Sequence, residues 1–214
     1  IVPGWEVCDP EHPVGQEILE IGRRNGLNDS GGKMKYDQTI ITPKGLTVHI
    51  RNGVASDGST VLENFNLTHA ETDYLLSYPD ENHFDSEQES RYLERKAASP
   101  NEIELIALVN GKVAGTAGIE AIGAHYKVTH RAEFGISILK EYWGLGIGRA
   151  LMEACIQCAR AAGYAQLELD VVAENARAIS MYQTAGFVEY GRNPKGFRSR
   201  NAGYQELISM RLEL

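Results

Sequence analysis

In the stretch Tyr142-Trp143-Gly144-Leu145-Gly146-Ile147-Gly148-Arg149-Ala150-Leu151, glycines alternate with larger residues directly ahead of an apolar helical pattern. A glycine-rich turn that opens a helix points several backbone N–H groups at one spot, with the positive end of the helix dipole behind them. Such a cradle stabilises an anion without help from side chains, and phosphate is the obvious candidate. The glycines remove Cβ atoms that would hold a ligand off the backbone, and they permit positive φ. Two phosphate-binding loops are excluded by the residues present. A P-loop needs Lys and then Ser or Thr after its last glycine, whereas Gly148 is followed by Arg149 and Ala150. The dinucleotide fingerprint needs a third glycine where Arg149 stands.

The flanking elements must position this loop. Upstream, Glu133-Phe134-Gly135-Ile136-Ser137-Ile138-Leu139 alternates in the period of a half-buried strand, so the order is strand, loop, helix. The helix is predicted over residues 147–162, with Ile147, Leu151, Ala154, Cys155 and Cys158 on one face and Gly163 as its stop. Asn110-Gly111 between apolar runs at 103–109 and 113–122 is a hairpin signal, and residues 131–139 add a third strand. A strand at 46–51 leads to a helix at 58–69 with Val61, Leu62, Phe65 and His69 on one face. Ser86 as N-cap, with Glu89 at the third helical position, starts another helix that ends at Ala98, before Pro100. Strands at 166–172, 187–190 and 204–212 and a helix at 175–185 closed by Gly186 complete the chain. The sum is an α+β fold: a mixed, largely antiparallel sheet with helices on both faces. His49 and His69 stand alone and read as structural residues.

A second constellation follows the glycine loop, Asn175-Ala176-Arg177-Ala178-Ile179-Ser180-Met181-Tyr182-Gln183-Thr184-Ala185-Gly186-Phe187. The two stretches, in this order and at this distance, resemble the signatures of the bacterial GNAT N-acetyltransferases, and the resemblance covers about residues 47–214. Gly146 and Gly148 occupy the two defining small-residue positions of that family's pyrophosphate loop. Trp143 departs from the pattern, standing where the family usually has Gln or Arg.

The resemblance implies a splay between the two central strands, which frees a backbone edge. Ile136, Ser137 and Ile138 would then pair with the pantetheine arm of acetyl-CoA like an added strand. Gly144, Leu145, Gly146, Ile147, Gly148 and Arg149 would hold the pyrophosphate, and Asn175 would bond the pantetheine or cap its own helix. No metal is implied. The helix pair after the strand at 46–51, with the loop between them, would form the acceptor wall; Tyr74, Tyr78 and Asp80 are its candidates for facing the acceptor, and the residues themselves read rather as a solvated loop.

The implied chemistry is direct transfer of acetyl to a primary amine in a ternary complex. The attacking ammonium must first lose a proton and the departing thiolate must gain one. Tyr182 matches the family's general acid. For the base, Glu133 ranks first. Asp170 occupies the strand position where the branch that acetylates ribosomal-protein N-termini carries a glutamate, one methylene longer, so it would act through a water. A small amine, a polyamine and a protein amino group all remain open as acceptors. The alternative is a non-catalytic acyl-CoA binding or sensing module, and a homodimer is one assembly the resemblance implies.

Composition sets the outer bounds. The chain has 214 residues and a formal net charge of −8, which opposes a nucleic-acid partner held through phosphates and mildly favours a cationic acceptor. Cys8, Cys155 and Cys158 form no disulfide or zinc pattern and read as reduced thiols, hence a cytoplasmic protein. No stretch has the length and apolarity of a membrane span. Residues 1–33 are rich in Gly, Pro, Asp and Asn, with one local helix pattern at 14–24. Met34-Lys35-Tyr36 reads as an ordinary bacterial start and Ser30-Gly31-Gly32-Lys33 as a translated ribosome-binding site. Residues 1–33 are therefore expected to be a mis-assigned start or non-native extension, the alternative being a genuine arm, and 34–214 the acetyltransferase domain.

Overall fold

A computed structural model describes residues 32–214. The expectations for Cys8, for a helix at 14–24 and for a leader up to Gly31 lie outside the described residues. Among those described, eight strands form a single sheet: β1 (Asp37–Ile41), β2 (Thr47–Asn52), β3 (Ile103–Val109), β4 (Lys112–Ala121), β5 (Arg131–Ile138), β6 (Gln166–Val172), β7 (Val188–Ser199) and β8 (Gly203–Glu213). Four α-helices accompany them: α1 (Gly58–Glu71), α2 (Ser86–Ala98), α3 (Ile147–Ala161) and α4 (Ala176–Thr184). The strand order is β1-β2-β3-β4-β5-β6-β8-β7, and every neighbouring pair is antiparallel except β5–β6. That one parallel pair needs a long crossover, which the glycine loop and α3 supply.

Alternation along the strands separates two apolar layers. Leu105 and Ala107 of β3 join Ile119, Phe134, Leu167 and the buried stripe of α3. Ile106, between them, faces the other way to meet Val61 of α1 and Leu93 of α2. Helices therefore cover both faces, and α4 lies on the α3 side, where Tyr182 joins the larger core. The hairpin forms as expected, with Asn110 at φ 50° and Gly111 at φ 79°, both left-handed as its turn requires. Gly163 and Gly186 follow α3 and α4 at φ 79° and 101°.

The structure departs from the sequence reading in four places. β1 was not expected. The face that α1 buries is Gly58, Val61, Asn64, Thr68 and His69, leaving Leu62 and Phe65 half-buried, because Asn64 reaches across to donate to the Val113 carbonyl at 3.0 Å. The α2 N-cap is Asp85 rather than Ser86: its carboxylate accepts from the Gln88 N–H at 2.8 Å while Gln88 Oε1 accepts from the Asp85 N–H at 2.9 Å. The strand expected at 187–190 runs on to Ser199 as a long hairpin arm against β8. Among the described residues no helix is long and apolar enough to cross a membrane.

Candidate active site

The sheet opens in its middle. β5 and β6 pair only through Arg131↔Gln166, Ala132↔Leu167 and Glu133↔Glu168, after which β5 continues along β4 to Ile138 and β6 along β8 to Val172. Among the described residues, β5 therefore has a free edge from Phe134 onward. Its hydrogen-bonding parity follows from two observed bonds to the β4 side, Leu139 N–H to Ala114 and Ile122 N–H to the Arg131 carbonyl. Odd residues of β5 thus turn their amide groups to β4 and even residues turn theirs to the gap. Of the three residues expected at the edge, Ile136 and Ile138 present backbone groups to the opening while those of Ser137 belong to the sheet. One edge acceptor is already taken: the Trp143 indole Nε1–H donates to the Ile138 carbonyl at 2.8 Å.

At the end of this edge lies the glycine loop. Gly144 and Gly146 adopt φ 77° and 93°, left-handed values that a side chain would disfavour. The helical ladder begins with the Ala150 N–H on the Gly146 carbonyl at 3.2 Å, so the N–H groups of Ile147, Gly148 and Arg149 precede it and find no acceptor outside the helix among the described residues. A Cβ on Gly148 would sit 3.1 Å from Ile138 Cδ1 and 3.2 Å from Met181 Sδ, so this glycine also lets α3 approach β5 and α4 closely. Arg149 is exposed and donates from Nε to Glu153 at 2.8 Å. Asn175 caps α4, its Oδ1 accepting from the Ala178 N–H at 3.3 Å.

The three residues expected to do acid–base work gather around the closed end of the gap. Tyr182 is buried, its ring edge-on to Phe134 at 6.2 Å and tilted against Phe187 at 5.8 Å. Burial pushes its phenol up, so the hydroxyl holds its proton. Glu133 precedes Phe134 and so projects from the opposite face of the sheet. Desolvation, with the charges of Asp170, Glu120 and Glu168 nearby, raises its carboxyl above the ordinary value. Its two register neighbours have cations of their own. Glu120 meets Lys96 Nζ at 2.6 Å, and Glu168 takes Arg131 Nη2 at 2.7 Å, which holds its carboxyl low. Asp170, further along the same face, accepts from Ser209 Oγ at 2.7 Å.

A cavity of about 460 Å³ opens between the α1–α2 loop, the β7–β8 turn and the residues that follow β5 and β6. Carboxylates of Glu71, Asp73 and Glu174 and rings of Tyr74, Trp143 and Tyr204 line it, together with Lys140. Of the three loop candidates for facing an acceptor, Tyr74 alone lines this cavity. The other two are bound elsewhere: the Tyr78 hydroxyl donates to Asp73 at 2.7 Å and Asp80 pairs with Arg200 at 2.7 Å. With Ser199 donating to Asp73 and the Arg200 guanidinium 4.1 Å from the Tyr78 ring centre, these contacts fasten the loop to the β7–β8 turn.

Residues 67–187 match the model of the acetyltransferase (GNAT) family. The chain belongs to the GNAT family. It is thus an acyltransferase. It is similar to the L-amino acid N-acetyltransferase AaaT of Escherichia coli, with 31% identity over 118 residues that cover 55% of this chain and 72% of the relative. A GNAT-family acetyltransferase from Streptococcus pneumoniae has the same fold, with a TM-score of 0.75 and 31% identity over 78% of this chain and 99% of that one. The fold is also that of yncA from Salmonella typhimurium, solved with its cofactor acetyl-CoA, at a TM-score of 0.69 and 21% identity over 78% and 94% of the two chains.

The sequence reading passed over one part of this GNAT site. Lys140 Nζ and the Arg177 guanidinium lie 5.9 and 5.2 Å from the Trp143 ring centre, beside the glycine loop. The aromatic at the departing position was visible in the chain, but the cations reach it through space from two other elements. Cys155 and Cys158 are buried and unpaired, and burial raises both thiols, Cys158 to about 12, so neither is a nucleophile. Among the described residues no group of three His, Cys, Asp or Glu side chains could hold a metal ion.

Proposed function

We propose that this GNAT protein transfers acetyl from acetyl-CoA to a primary amine by direct attack in a ternary complex. The observation that carries this reading is the free β5 edge, which runs from a vertex flanked by Glu133 and Tyr182 to a loop of left-handed glycines. An extended amide chain fits such an edge, and a pyrophosphate fits the N–H groups that precede the α3 ladder. When bound, acetyl-CoA supplies the activated acetyl group. Ile136 and Ile138 orient the pantetheine arm, and Gly144, Leu145, Gly146, Ile147, Gly148 and Arg149 hold the phosphates. Asn175 orders the start of α4 beside them.

Glu133 then removes the proton from the acceptor ammonium, directly or through a water. Its raised carboxyl suits this role better than Asp170, which Ser209 already engages. Edge-facing N–H groups of Ile136 and Ile138 stabilise charge on the acetyl oxygen. Tyr182, with its hydroxyl kept protonated by burial, gives the departing thiolate its proton. The inert cysteines fit transfer without a covalent enzyme intermediate.

For the acceptor, the cavity beside Glu174 is the proposed pocket. Three lining carboxylates against the single ammonium of Lys140 favour a cationic amine. AaaT is named for L-amino acids, so an amino acid whose carboxylate bonds Lys140 is the competing acceptor. The test begins with thermal shifts in acetyl-CoA, CoA, longer acyl-CoAs, ATP and NAD, where acetyl-CoA and not the nucleotides should raise the midpoint. Thiol release is then measured with a diamine, a monoamine and an amino acid. Stabilisation by acetyl-CoA without turnover on any amine would favour a sensing module instead.

A further inference from the structure

We infer that Arg177 supplies the cation that pairs with the cofactor pyrophosphate, and that Trp143 is the residue that positions it. The inference rests on the acetyl-CoA reading above. Arg149 and Arg177 are both exposed, but Arg149, the arginine on the loop itself, is engaged with Glu153 at 2.8 Å. Arg177, in the first turn of α4, has no carboxylate partner among the described residues. Its guanidinium lies 5.2 Å from the centre of the Trp143 ring, and a Cβ built on Gly144 would come 4.0 Å from Arg177 Nη1. The charge therefore hangs over the loop where the phosphates are proposed to sit. On its other side Arg177 lines a cleft of about 520 Å³ between α3 and α4.

Trp143 fixes that placement. Its indole N–H is tied to the Ile138 carbonyl at 2.8 Å, so the orientation of the ring is set by β5. A ring face so held attracts a guanidinium through its quadrupole and reduces the rotamer freedom the long arginine side chain would otherwise have. A guanidinium also presents paired donors that match phosphate oxygens. An aromatic side chain at position 143 cannot accept or donate to a phosphate as a Gln or Arg would, except through its single N–H, which is already used. The pair thus replaces one polar residue on the loop with an arginine brought from the neighbouring helix.

The test compares acetyl-CoA with acetyl-pantetheine, which keeps the thioester and lacks the pyrophosphate. Arg177→Ala is expected to raise the KM for acetyl-CoA about 10- to 100-fold, the range for one charged hydrogen-bonded contact, while kcat and the KM for acetyl-pantetheine change less than about twofold. With the acceptor saturating, Trp143→Leu, which also alters the acceptor cavity its ring lines and frees the Ile138 carbonyl, should raise the acetyl-CoA KM more than the acetyl-pantetheine KM, and should add little to that difference in the Arg177→Ala background, because both changes remove one interaction. Trp143→Phe, which restores a ring face without the N–H that holds it on Ile138, should recover part of the loss, and so should Arg177→Lys. An unchanged acetyl-CoA KM in Arg177→Ala, equal losses with both donors, or additive effects in the double variant would each overturn the inference. Wild-type protein that neither binds nor uses acetyl-CoA would overturn the functional reading itself, a result distinguishable from these.

Discussion

Glu133 and Glu168 are partners in the last rung that joins β5 to β6, and Arg131 neutralises only Glu168. Among the described residues Glu133 is left without a cation in a row whose other members, Glu120 and Glu168, have one, at the point where the sheet opens. Desolvation and the charge of Asp170 lead the causes that lift its carboxyl above the ordinary value. Activity that needs the charged carboxylate should fall as pH drops through that raised value. Glu133→Gln should lower kcat about 10²- to 10⁴-fold and abolish this acid limb, with the acetyl-CoA KM little changed. A pH–rate profile of the variant checks it.

Asp170→Asn separates the two candidate bases. With Glu133 as base, removing the Asp170 charge lowers the Glu133 carboxyl towards its ordinary value, so the variant should stay active with its acid limb moved to lower pH. With Asp170 as base, the same variant would lose turnover outright. Steady-state rates across the acid range decide between them.

Tyr182→Phe should cost about 10²-fold or more in kcat with acetyl-CoA affinity retained. Among the described residues the Tyr182 hydroxyl has no hydrogen-bond partner to lose, and the ring contacts to Phe134 and Phe187 would persist, so the thermal midpoint should move little. A large fall in midpoint with an unchanged kcat would make Tyr182 a packing residue.

Local features of the chain announced themselves where one short stretch carries the whole signal. Asn110-Gly111, Gly163 and Gly186 each mark a backbone conformation that few residues adopt, and the glycine loop and Asn175 helix each contain their own motif. β1 was illegible because its Thr-Ile-Ile core is largely exposed at the sheet edge, with no inward alternation to read. The α2 start was ambiguous, since Asp85-Ser86-Glu87-Gln88 satisfies the capping pattern as well as Ser86-Glu87-Gln88-Glu89 does. Contacts between distant elements left no trace in spacing: the Arg177–Trp143 stack, the loop fastened by Asp73, Tyr78 and Arg200, and Lys96 buried against Glu102 and Glu120.

The two glycines of the loop should differ in what they cost. Gly146 is left-handed, and a Cβ there would sit 3.1 Å from Thr42 Cβ and 3.3 Å from Pro43 Cδ. Gly146→Ala should therefore destabilise by about 1–2 kcal/mol from backbone strain alone, besides weakening acetyl-CoA. Gly148 is helical, and the nearest atoms to its added Cβ belong to the flexible side chains of Ile138, Met181 and Ile136, which can shift. Gly148→Ala should keep most stability and lose cofactor affinity, as paired thermal melts with and without acetyl-CoA would record.

Glu104 gives a prediction about stability rather than turnover. It is half-buried on the α2 side of β3, where desolvation raises its carboxyl from 4.5 to about 7, against the opposing pull of Thr116 and Lys96. The folded state then binds a proton more tightly than the unfolded one between those two values. Stability contributed by that proton is complete below pH 4.5, declines as pH rises towards 7 and is gone above it. Glu104→Gln, which cannot ionise, should raise stability at pH 8 by roughly 1–3 kcal/mol and change it little near pH 4.5. Denaturant melts of both proteins at the two pH values test this, and an equal gain at both would show packing, not charge, to be the cause.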